Sequence, residues 1–175
     1  MATAIFGIVK TSPQAESIVQ SLRNTSGVAA QDISVLFPNR GGSHDFAHEH
    51  NTKAPEGAVT GAGAGGVAGG VLGLLAGIGA LAIPGVGPLI AAGPIMAALS
   101  GAAVGATVGG ITGALVGMGI PEFEAKRYED KVKGGNILIS VHSETGEATS
   151  RIKAIFKNAG AEDISTTHEK SDAIA

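Results

Sequence analysis

Sixty-five consecutive positions, residues 57–121, contain no Asp, Glu, Lys, Arg or His. Within them glycine recurs at every fourth place: Gly57, Gly61, Gly65, Gly69, Gly73 and Gly77. After an interruption at Pro84, Pro88 and Pro94 the row resumes as Gly93, Ala97, Gly101, Gly105, Gly109, Gly113 and Gly117. A spacing of four lays residues along one inclined ridge of a helix, and stripping that ridge of side chains leaves a groove that a second backbone can enter. The bulkier Leu72, Leu75, Ile78, Ile95, Leu99, Val108, Ile111 and Leu115 lie mostly off these rows. In water such helices are poor, because each interior glycine costs about 0.5–1 kcal/mol relative to alanine. In lipid an unpaired backbone is worse than a weak helix. The pattern predicts a glycine-zippered helical hairpin, each arm near the roughly 20 residues that cross a hydrocarbon core, reversing around Pro84 and Pro88.

The flanks read as ordinary α/β sequence. Residues 4–9 are a short apolar run suited to a strand. Ser12 and Pro13 open a helix with Ala15, Ile18, Val19 and Leu22 at helical spacing, stopping near Gly27. Residues 32–37 form a second strand. Beyond the tract, residues 122–133 make a charged amphipathic helix broken by Gly134 and Gly135, with Glu122 and Lys126 four apart. Residues 136–141 give a strand, a helix opened by Ser143 or Thr145 follows and stops near Gly160, and residues 163–167 give a weak last strand. Two strand–helix–strand units, each too small to stand alone, predict an α+β, ferredoxin-like (βαβ–βαβ) domain with two helices on one sheet face. Residues 1–56 and 122–175 would form that discontinuous domain, with 57–121 inserted. An insertion that leaves and returns on one side fits two helices.

The formal charge of −3 argues against a nucleic-acid partner. No cysteine is present, which excludes disulfides, thiolate metal sites and a cysteine nucleophile. No basic-then-apolar leader opens the chain, and Arg40, Lys53, Lys126, Arg127, Lys131 and Lys133 flank the tract as expected of a cytoplasmic face.

Few residues suggest chemistry. His44 and His48, four apart, could share a helix face as zinc ligands do; a solvated polar loop is the plainer reading. Gly61, Gly63 and Gly66 match a dinucleotide-binding spacing by composition alone, with no acidic partner some twenty places on. No serine–histidine–aspartate set or carboxylate pair emerges, so neither enzyme activity, cofactor nor small-molecule substrate is expected.

The motifs Asp45-Phe46-Ala47-His48-Glu49, Asn51-Thr52-Lys53-Ala54-Pro55-Glu56-Gly57, the glycine ladder, the stretch from Gly85 to Met96 and the stretch from Gly119 to Tyr128 together resemble the small bacterial proteins described as general stress or low-temperature-induced proteins. That resemblance covers nearly the whole chain and implies a bacterial, stress-associated, membrane-associated protein, with no catalytic residues to transfer. A more distant likeness is to the two-helix membrane subunit of alternative complex III, which implies an accessory role in a membrane redox complex.

The expectation is therefore a non-enzymatic homo-oligomer. Gly61, Gly65, Gly69, Gly73, Gly77, Gly101, Gly105, Gly109, Gly113 and Gly117 would pack its helices in membrane lipid, at a bacterial inner membrane, with the α/β domain cytoplasmic. The alternative is a cytoplasmic ring or particle with the hairpins buried in its core.

Overall fold

A computed structural model describes residues 3–38, 79–83, 87–95, 98 and 110–168. Strand β1 (Thr3–Val9) sets the architecture, because all seven of its residues are buried. A strand with one wet face would alternate. This sheet is covered on both sides.

Helix α1 (Ser12–Thr25) follows β1 and leads, through a short 3-10 turn at Ala30–Asp32, to β2 (Ile33–Pro38). Strands β3 (Gly79–Ile83) and β4 (Gly87–Ala92) come next, then helices α2 (Ile111–Gly117) and α3 (Glu122–Lys133). The chain closes with β5 (Ile137–Ser143), α4 (Gly146–Asn158) and β6 (Glu162–His168). The result is a mixed α+β fold. Its four flank strands lie in the order β2-β5-β1-β6, and β4 then β3 extend the sheet beyond β2. Every pairing is antiparallel.

Alternation along the strands sorts the core into two layers. Ile5, Val9, Val35, Ile139 and Val141 point toward α1 and α4, which bury Ile18, Leu22, Ile152 and Phe156. Ala4, Phe6, Ile8, Leu36 and Leu138 point the other way, toward Ile111 and Leu115 of α2 and Tyr128 and Val132 of α3. Each large aliphatic side chain buried in this way contributes about 1.5–3 kcal/mol.

The flank elements lie within a residue or two of their sequence positions. The first cap differs. Thr11, rather than Ser12, precedes the helix and accepts a hydrogen bond from the Gln14 amide, leaving Ser12 and Pro13 in the first turn. The two expected helices, α1 and α4, share one face of the sheet, and α2 and α3 cover the second face as well. The reason is residue chemistry on the far side of β1, β2 and β5. Phe6, Ile8, Leu36 and Leu138 would otherwise face water.

The apolar tract departs further from expectation. Residues 79–83 and 87–92 are a β-hairpin in the sheet, not arms of a helical hairpin. Pro84 and Pro88 each remove a backbone donor that a helix running through this stretch would use. β2 offers the alternative: Val35 to Pro38 pair with Leu89 to Ala92. The chain then turns at Gly93, whose φ is +78°, and the Ile95 amide donates to the buried Ser34 hydroxyl at 3.1 Å. A Cβ on Gly93 would lie 2.2 Å from the Ile33 carbonyl oxygen. Gly93 is thus a ladder glycine fixed by close backbone approach.

Two ladder glycines should therefore respond oppositely to alanine. A Cβ on Gly117 meets nothing within 4 Å, so Gly117→Ala should raise stability by about 0.5–1 kcal/mol through helix propensity. Gly93→Ala should lower it by more than about 2 kcal/mol, from strain and overlap together. Urea unfolding followed by circular dichroism reads both.

Candidate functional site

Of the zipper residues expected from sequence, Gly113 and Gly117 fall on α2. Gly61, Gly65, Gly69, Gly73, Gly77, Gly101, Gly105 and Gly109 lie outside the described residues, as do His44 and His48.

Helix α2 buries Ile111, Thr112, Ala114 and Leu115. Gly117 and Val116 face outward and Gly113 is half-buried, so the glycine row lies on the side away from the core. The helix ends in a glycine-capped turn. Gly119, at φ +91°, lets its own amide reach the Val116 carbonyl, and the Ile120 amide reaches Leu115. Ile120 then packs into the same core layer as Leu115. Thr167 of β6 donates to the Gly119 carbonyl at 2.7 Å, tying the corner to the sheet. Pro121 starts α3 at once. The outcome is a hydrogen-bonded corner flanked in sequence by the two large exposed apolar side chains of the described residues, Val116 at 42% and Phe123 at 78% exposure. Helical spacing could have found Phe123: Ala125, Tyr128 and Val132 define the buried face of α3, and position 123 falls off it.

Two polar assemblies hold this corner in place. Glu129 of α3, only 14% exposed, accepts from the Thr112 amide at 2.9 Å and the Thr112 hydroxyl at 2.5 Å, and pairs with Lys133 at 2.6 Å. A carboxylate is thereby set at the start of α2, where orphan amides favour negative charge. Burial alone would raise the Glu129 carboxyl, but the hydrogen bonds from Lys133 and Thr112 outweigh it and hold it below the ordinary carboxylate range. On the other side, the buried Tyr128 hydroxyl donates to the Asp163 carbonyl at 2.6 Å and lies 2.7 Å from the Ser165 hydroxyl. Lys131 bridges to Glu162 at 3.1 Å and Asp163 at 2.8 Å, and Arg127 reaches Asp163 at 3.4 Å. Arg127 and Lys131 thus tie α3 to β6, and Glu129 ties it to α2.

A cleft of about 500 Å³ opens at one end of the sheet, among the α1–β2 connection, Pro94, the end of β5 and the start of α4. Asp32, His142 and Glu144 line it, but among the described residues no three metal-ligating side chains converge. Thr145 uses its hydroxyl to accept from the Ala148 amide, capping α4 itself.

The Glu129 contact makes a pH prediction. Its folded-state pKa is depressed, so its contribution is present above the unfolded carboxylate value near ~4.3 and is lost as pH falls through the lower folded value. Wild type should lose stability over that acid window. Glu129→Gln should be less stable at neutral pH and show a flatter acid limb, read by thermal unfolding from pH 7 downward.

No protein-family model, curated protein or solved structure matches this chain.

Proposed function

We propose that this chain is a non-enzymatic, self-associating protein. In this reading its uncharged glycine-rich tract holds it at a bacterial membrane and packs copies together, while a ferredoxin-like α/β domain stands on the cytoplasmic side. The strand order β2-β5-β1-β6, with α1 and α4 as crossovers, supports the ferredoxin-like frame. The single observation that carries self-association is the outward glycine row of α2. Gly117 has open space around it, and Val116 and Phe123 are exposed on either side of the turn from α2 into α3. A stress-related role rests on the family resemblance of the sequence.

A second reading, a soluble assembly with the tract buried among copies, is favoured by a specific observation. Ala91, Ile95, Ile111, Ala114 and Leu115 of the tract are packed into the domain's own core. What remains between the described elements is short: residues 57–78 are 22 positions and residues 96–109 are 14, apart from Ala98. Two crossings of a bilayer need about 40 residues. Among the described residues no helix is long and apolar enough to cross a membrane. The cation count also weakens as a topological signal, because Arg127, Lys131 and Lys133 are engaged in ion pairs within the domain.

An alkaline-carbonate wash of membranes from expressing cells separates the readings, with a Gly69→Leu, Gly109→Leu variant alongside. Retention of wild type in the pellet, with a large detergent-extracted species that the variant loses, is the expected result. Release of wild type as a large detergent-free particle would leave the soluble assembly standing and end the membrane reading. A released monomer would end both.

A further inference from the structure

Both faces of the sheet are occupied by helices, so an assembly that extends the sheet must use an edge. The two edges differ in kind. At β6 the ladder to β1 shifts register between Phe6 and Ile8, and Asp163 sits at φ +49°. Glu162 and Asp163 are also held by Lys10, Lys131 and Arg127. A bulge and clustered charges are the devices by which proteins blunt an edge.

The opposite edge has none of them. β3 is five residues, Gly79 to Ile83, with no proline and no ionisable group. Its ladder to β4 is regular from Gly79↔Ala91 to Ile83↔Gly87. Among the described residues no strand pairs with its outer side. Half of its backbone donors and acceptors therefore point outward in a regular row. The chain β3 would meet is constrained by symmetry and charge. Two identical strands brought together antiparallel close a two-fold interface, with each presenting the same groups to the other. Like charges directly opposite would oppose such pairing, and β3 has no charge to repel its copy.

We propose that the outer edge of β3 is a seam between two copies of this chain, β3 against β3, antiparallel about a two-fold axis within the strand. The joint would run the two sheets into one. Five residues bury less than the roughly 1,200 Å² of a stable interface, so the seam sets register and rests on the self-association proposed above for the remaining area.

The chain has no cysteine, so a single introduced thiol can form a disulfide only with another molecule. Three full-length variants, Ala80→Cys, Leu81→Cys and Ala82→Cys, would each be oxidised mildly, with Thr166→Cys on β6 as control. The residue nearest the axis faces itself at a Cα separation of about 4.5–5.5 Å, inside the range a disulfide spans. One of the three should convert most of the protein to covalent dimer, at least ~10-fold above Thr166→Cys, with an unchanged circular dichroism spectrum. Wild type is sized in parallel in detergent and without it. If wild type is multimeric and none of the three exceeds the control, or all three match it, the seam is wrong while self-association stands. If wild type is monomeric throughout, both fall.

Discussion

The burial of β1 on both faces is the constraint on which the rest depends. Seven consecutive buried residues require cover above and below, and α1 and α4 supply it on one side only. The second cover must come from the sequence between β2 and β5. It does: α3 lays Ala125, Tyr128 and Val132 on that face, and α2 adds Ile111, Ala114 and Leu115. The apolar tract is therefore a donor of core to the α/β domain as well as a candidate for packing beyond it. Ala91, Ile95, Ile111, Ala114, Leu115 and Ile120 of the tract pack with Phe6, Ile8, Leu36 and Leu138, which would otherwise face water.

Much of the domain was legible in the sequence. Pro13, Gly27, Gly134, Gly135 and Gly160 punctuate the helices where they stand, and apolar spacing found the buried face of α1. The β3–β4 hairpin was not legible, for a physical reason. A run such as Gly79-Ala80-Leu81-Ala82-Ile83 has neither the alternation of a half-wet strand nor enough length to exclude a helix, and the four-residue glycine period on either side dominates the reading. The prolines held the information: Pro84 and Pro88 mark a place where helix is costly, and the free edge of β2 is what makes strand the better outcome.

The charges of α3 give the same lesson at the candidate site. By sequence they mark only a charged amphipathic helix and name no partner. In the fold Glu129 caps α2, Lys131 and Arg127 reach β6, and Tyr128 threads its hydroxyl to the Asp163 backbone. These contacts join partners 17 to 36 positions apart, beyond any local pattern. What they hold is the corner where Gly117, Val116 and Phe123 face outward, so the polar clamp and the exposed surface are two sides of one arrangement.

The claim that the tract's middle section belongs to the sheet is open to direct test by nuclear magnetic resonance on uniformly labelled protein. Interstrand Hα–Hα contacts between residues 35–38 and 89–92, with extended-backbone chemical shifts over 79–83 and 87–92, are the predicted result. Helical shifts and i to i+3 contacts through residues 79–92, with no contact to β2, would contradict the account and return the tract to a continuous helical hairpin.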